Sequence, residues 1–99
     1  MEKYYLVKGL VQGVGYRQFV KQTANQLSIT GWVRNLKTQD VEVLAFTDET
    51  THNKLFKALL SGPNRAQVKE VLQKQISSKN TQPDGFEVLE TREKPCYEL

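Results

Sequence analysis

Six residues, Tyr16, Phe19, Val20, Thr23, Ala24 and Leu27, recur at the spacing of one helix face, with Lys21, Gln22, Asn25 and Gln26 outside it. On either side of that stripe the sequence reads as strand. Tyr4 to Val11 is rich in Tyr, Leu and Val and ends among glycines. Ile29 to Leu36 and Val41 to Phe46 read as two further strands, joined by the short polar link Lys37-Thr38-Gln39-Asp40 of a hairpin. A second helix, capped by Thr50 or Thr51, runs through Leu55, Phe56, Leu59 and Leu60. It stops at Ser61-Gly62-Pro63, where glycine ends a helix and proline prevents its return. Val68, Val71 and Ile76 mark a less regular strand. A polar loop from Ser77 to Gly85 then leads to a short one, Phe86 to Leu89. The order βαββαβ predicts an α+β, ferredoxin-like sandwich, an antiparallel sheet with two helices on one face.

Ninety-nine residues make one domain, expected over 1–89, followed by a loosely held charged tail over 90–99. The longest apolar runs are too short to span a membrane, and Met1-Glu2-Lys3-Tyr4 lacks the apolar stretch of a signal peptide, so a cytoplasmic location is expected. The single cysteine, Cys96, excludes an internal disulfide. Charge is uneven. Lys3, Lys8, Arg17, Lys21, Arg34 and Lys37 face only Glu2 in the first 39 residues, whereas the last 16 are acidic. A basic first half suits an anionic partner, although solvated faces also vary in charge.

The chemistry concentrates in Gly13-Val14-Gly15-Tyr16-Arg17, between the first strand and the first helix. Two glycines one residue apart permit φ > 0 and a close backbone approach to a ligand. Successive amides in such a turn can converge on an anion, and the helix start adds unpartnered N–H groups and a favourable dipole. Arg17 can grip two phosphate oxygens at once. A phosphate or carboxylate is the ligand class these features favour. Turn glycines before a helix are also common, so the spacing alone leaves an ordinary turn open. The segment is neither a Walker loop nor a dinucleotide fingerprint, since it lacks the Gly-Lys-Ser/Thr end and the third glycine.

Val11 to Arg17, VQGVGYR, resembles the signature of the acylphosphatases, usually VQGVGFR, and Gly31 to Asn35, GWVRN, resembles their second signature. Val41-Glu42-Val43, Gly62-Pro63, Ala66, Val68, Val71 and Phe86 extend the resemblance to about Leu89. It implies an enzyme that hydrolyses acyl phosphates to carboxylate and inorganic phosphate without metal or cofactor. In the same resemblance the backbone of Gln12, Gly13, Val14, Gly15, Tyr16 and Arg17 cradles the phosphoryl oxygens, Arg17 binds phosphate, and Asn35 orients the attacking water. The substrate is a small molecule, and neither a membrane nor a specific nucleic acid is expected as partner; a monomer is the default. The sequence departs from the family pattern at Tyr16, usually phenylalanine, and at Ser28, Gln39 and Thr47, usually glycine. Its tail is also longer than usual.

Other residues read as structural. Trp32 and Arg34 alternate with Gly31, Val33 and Asn35 and therefore point to the opposite sheet face. His52 and Cys96 lack the partners that catalysis or metal binding needs. Asp40, Asp48 and Glu49 fit a turn and a helix start better than a metal site. Two other functions compete. One is an RNA-binding sheet using Tyr4, Tyr5, Trp32 and Phe46, although the basic-aromatic motif of that class is missing. The other is a non-catalytic sensor of acyl or carbamoyl phosphate. Arg17 and Asn35 favour the free-standing enzyme over both.

Overall fold

Strand β1 (Glu2–Leu10) lies inside the sheet and pairs antiparallel with β3 (Val41–Phe46) on one side and β4 (Gln67–Ile76) on the other. β2 (Thr30–Asn35) pairs antiparallel with β3, and the short β5 (Phe86–Val88) adds to the outer edge of β2, giving the order β4-β1-β3-β2-β5. Helices α1 (Tyr16–Gln26) and α2 (Glu49–Ser61) follow β1 and β3. This computed structural model describes residues 1–77 and 82–99. The expected Ser77–Gly85 loop therefore lies partly outside the described residues.

The fold is the ferredoxin-like α+β architecture that the sequence predicts, with one correction. The sheet is mixed, because β5 runs parallel to β2. β5 begins beside Gly31, near the start of β2, and runs in the same direction. A second correction concerns α2. Its cap is Asp48, not Thr50 or Thr51: the Asp48 backbone is extended, and its side-chain Oδ1 accepts the Thr51 N–H at 2.7 Å. A carboxylate at that position satisfies an otherwise unpaired amide and also suits the helix dipole.

Alternation along β1 sends side chains to both faces. Tyr5 and Val7 gather with Val33, Val43, Ala45, Val20, Ala24, Leu55 and Leu59 under the helices. Tyr4 and Leu6 gather with Leu36 and Leu44 on the opposite face, against Trp32, Phe46, Cys96 and Tyr97. Each fully buried Val or Leu among them contributes about 1.5–3 kcal/mol. The tail is therefore not loosely held. It covers the second face, with Tyr97 edge-on to Tyr4 at 5.0 Å between ring centroids. Beneath it the fully buried carboxylate of Glu42 accepts from the Tyr4 hydroxyl, from Arg34 Nε at 2.6 Å and from the Cys96 amide at 2.9 Å. Removing one partner of such a buried charge costs about 3–5 kcal/mol. Arg34 also lies 4.5 Å from the centre of the Trp32 ring, so both residues belong to this structural cluster, as expected. The same cover removes Tyr4 from any base-stacking role, and Tyr5 is buried under the helices.

On the helix side His52 is buried between the Tyr5 hydroxyl, 2.7 Å from Nδ1, and the Met1 carbonyl, 3.0 Å from Nε2. The carbonyl can only accept, so Nε2 carries the proton and Nδ1 accepts from Tyr5. Burial pushes the imidazole below its ordinary pKa.

Two stability predictions follow from these positions. Ser28 (φ 57°) and Gln39 (φ 78°) are the non-glycine residues that take left-handed conformations among the described ones. Relief of that strain should make Ser28→Gly or Gln39→Gly more stable by about 1 kcal/mol, read as a higher urea midpoint. His52 stays neutral in the fold to lower pH than in the unfolded chain. Its contribution is thus complete above the unfolded value of about 6.5 and is lost as pH falls from there through the folded value. Urea unfolding at pH 7.5 and 5.5 should show this loss, and His52→Gln should remove His52's share of it.

Candidate active site

β1 ends at Leu10 and α1 begins at Tyr16, and the turn between them rests on two left-handed glycines, Gly13 (φ 72°) and Gly15 (φ 78°). A Cβ at either would meet nothing within 4 Å, so the requirement for glycine comes from backbone conformation and not from crowding. Among the described residues the amides of Gly13 through Gln18 donate no hydrogen bond within the protein. The first bond of the turn runs from the Phe19 amide to the Gly15 carbonyl. The same turn borders a cavity of ≈ 170 Å³ lined by Gly13, Gly15, Tyr16, Arg17 and Gln18, with Val11 and Val88 as its apolar wall. Arg17 forms no ion pair or side-chain hydrogen bond among the described residues. A row of free donors, a helix start and an unpaired guanidinium line one small cavity, and together they favour an oxyanion of phosphate size.

The sequence-predicted site residues divide in three. Gly13, Gly15, Tyr16 and Arg17 line the cavity. Gln12 and Val14 flank it. Val14 rests on the core, while the Gln12 side chain donates to the carbonyls of Leu36 at 2.7 Å and Asp40 at 2.9 Å. Asn35 lies outside the cavity lining, on the last residue of β2, immediately before the carbonyl that Gln12 holds. The Gln12 clamp therefore ties the phosphate-type loop to the hairpin that carries Asn35. That side-chain role, and the walls formed by Gln18 and Val88, were missed by sequence reasoning. Only Gln12 had a signal there, as a long amide beside a turn.

Asn35 carries the most informative atom. Its Oδ1 is buried and has no hydrogen-bond partner. Such an acceptor costs about 1–3 kcal/mol. Gly31, at the start of the same segment, has a different reason to exist. A Cβ there would stand 1.9 Å from the Leu44 carbonyl oxygen, so glycine is a condition of the close pairing of β2 and β3. The Tyr16 hydroxyl is buried and donates to the Leu59 carbonyl at 2.8 Å, which leaves it satisfied without touching the cavity chemistry. Asp40 pairs with Lys8 and Asp48 caps α2. Among the described residues no group of three His, Cys, Asp or Glu could hold a metal ion. No helix is long and apolar enough to cross a membrane among the same residues.

The model of the acylphosphatase family matches residues 3–88. The chain belongs to the acylphosphatase family. It is 45% identical over 82 residues to the acylphosphatase of Hahella chejuensis, covering 83% of this chain and 86% of that protein. Its fold is similar to the crystal structure of the Bacillus subtilis acylphosphatase, with a TM-score of 0.83 at 30% identity over 90% of this chain and 99% of that one. An acylphosphatase from Coxiella burnetii is similar at a TM-score of 0.82 and 34% identity, over 89% of this chain and 90% of that one. The activity is accordingly that of an acylphosphatase, hydrolysis of the carboxyl–phosphate bond of acyl phosphates.

The left-handed turn gives this acylphosphatase a testable dependence. Gly15→Ala should strain the loop by about 1–2 kcal/mol. The inhibition constant of inorganic phosphate should then rise by about tenfold, measured by competition against benzoyl phosphate.

Proposed function

We propose that the Gly13–Gln18 amides and Arg17 hold the phosphoryl group of a small acyl phosphate while Asn35 directs the attacking water. The buried, unpartnered Oδ1 of Asn35 carries this reading, since an acceptor in that position is an orienting group for a donor that the protein does not supply. The amide is not basic at neutral pH, so it fixes the direction of the water and does not take its proton. Water oxygen bonds to phosphorus as the phosphorus–carboxylate oxygen bond breaks. The carboxylate leaves with the bonding pair, and the water proton passes to a phosphoryl oxygen, giving dihydrogen phosphate.

This division of labour suits the reaction. A carboxylate leaves without protonation, and phosphoryl transfer depends mainly on positioning and on neutralising the equatorial oxygens. The free amides and the guanidinium supply that neutralisation and need no reorganisation as charge shifts. The cavity also favours a compact substrate, since the loop and Val88 leave ≈ 170 Å³ around the anion donors. One chain carries every group this reading uses, so a monomer suffices.

Loss of one preorganised group of this kind costs about 10²–10³ in rate. Folded Asn35→Ala should therefore lose at least about 100-fold in kcat on benzoyl phosphate, with excess EDTA present throughout. Arg17→Ala should lose at least as much in kcat/KM and also weaken phosphate inhibition. Full activity of folded Asn35→Ala would remove its assigned role. A folded parent chain that binds phosphate without turnover would favour the sensor instead.

A further inference from the structure

The family match ends at residue 88, yet the chain continues along β2 beyond that point. β5 itself pairs only with Gly31, Trp32 and Val33. Arg34 and Asn35 would otherwise stand on an open sheet edge. The Leu89 amide donates to the Val33 carbonyl at 2.9 Å and the Arg92 amide to the Asn35 carbonyl at 3.1 Å. The Lys37 amide donates in turn to the Arg92 carbonyl at 2.9 Å, closing a parallel bridge between Leu36 and Arg92. The backbone of Arg92 thus holds the chain on both sides of Leu36, and one of the two points it holds is Asn35.

The far end of the tail is anchored separately. Cys96 Sγ accepts from Arg34 Nη2 at 2.7 Å and Arg92 Nη1 at 2.9 Å, and the Cys96 amide donates to buried Glu42. Arg92 is therefore fixed at its backbone by β2 and at its guanidinium by the tail.

We propose that the segment from Leu89 to Tyr97 is a brace for the site, with Arg92 as the positioning residue that sets the direction of Asn35. The inference rests on the role given to Asn35 above. Because Oδ1 has no partner in the protein, no hydrogen bond at that atom fixes its direction, which follows from the backbone that carries it. That backbone is the last residue before an exposed hairpin in which Gln39 is strained. A shift of about 1 Å in a positioned group can cost about 100-fold in rate. Partial release of one carbonyl anchor should cost less, about tenfold.

The test separates the backbone of residue 92 from its side chain. Arg92→Pro removes the N–H that Asn35 accepts, whereas Arg92→Ala keeps it; both remove the guanidinium. In the full chain, Arg92→Pro should lower kcat on benzoyl phosphate about tenfold relative to Arg92→Ala. KM and the inhibition constant of inorganic phosphate should stay within about twofold, because the phosphate loop is on another element. General loss of structure would not give that split. Lys37→Pro against Lys37→Ala repeats the comparison from the hairpin side and stands in if Arg92→Pro does not fold. Equal kcat within the folded pairs overturns the brace. So does exchange of the Arg92 and Lys37 amides in the unaltered chain as fast as that of Thr91, which donates no such bond; protection of at least about 100-fold is expected. Asn35→Ala is assayed alongside. If it remains active, the role of Asn35 itself is wrong; if it is inactive while the proline and alanine variants agree, only the brace is wrong.

Discussion

A strand that buries side chains on both faces needs two covers, and β1 is such a strand. Tyr5 and Val7 require the helices; Tyr4 and Leu6 require something on the opposite side. A two-layer ferredoxin-like sandwich supplies only the first cover. The second comes from the segment after β5, whose Cys96 and Tyr97 close over Tyr4, Leu44 and Glu42. Much else depends on this demand. With the outer face buried, the Glu42 carboxylate near the start of β3 must be fully partnered, and Arg34, Tyr4 and the Cys96 amide meet that requirement. With the tail held at Glu42, the residues leading to it are drawn along the free edge of β2. That edge is where Asn35 lies.

The cost of the site is local. Left-handed glycines, amides without acceptors and a buried acceptor without a donor would each be a defect in an ordinary turn. They occur here within the β1–α1 loop and the end of β2, and the Gln12 side chain joins the two by bonding to both ends of the hairpin. The surroundings are well satisfied by comparison. The Tyr16 hydroxyl, one residue from the cavity guanidinium, finds the Leu59 carbonyl, which fastens the start of α1 to the end of α2. The loop can therefore hold open donors because its two ends are fixed by bonds that have nothing to do with the ligand.

The sequence makes the helices, β3 and the glycine loop readable, because each rests on a local pattern. The helical stripe from Tyr16 to Leu27 and the glycine after Ser61 are signals within one element. The parallel placement of β5 was not readable, since three residues carry no direction and pairing is settled by distant partners. The cap of α2 was misread for a narrower reason. Asp48, Thr50 and Thr51 are all good capping types, and only the backbone decides which of them stands outside the helix. The tail was misread because its composition is charged, while its work is done by Cys96, Tyr97 and main-chain amides. Within the site, Arg17 and the glycines were legible from their position. The unpartnered state of Asn35 Oδ1 was not, since it follows from what the fold fails to bring near it.

The two covers also respond differently to protons. Under the helices, His52 serves as acceptor for Tyr5 and as donor to Met1, and protonation would replace the acceptor with a second donor beside a hydroxyl. The helix side therefore contains a group that acid disrupts. Under the tail the pattern runs the other way. Burial, with the neighbouring Glu42 carboxylate, raises the Tyr4 hydroxyl far above its ordinary range, and burial likewise raises the Cys96 thiol. Tyr4 thus remains a donor to Glu42 and Cys96 remains a neutral sulfur that accepts from Arg34 and Arg92 throughout the neutral range. Tyr4 and Cys96 therefore keep their protons on the tail side, whereas the histidine sits on the other side of the sheet. Moderate acidification therefore acts on the helix side through His52, whose burial depends on its staying neutral.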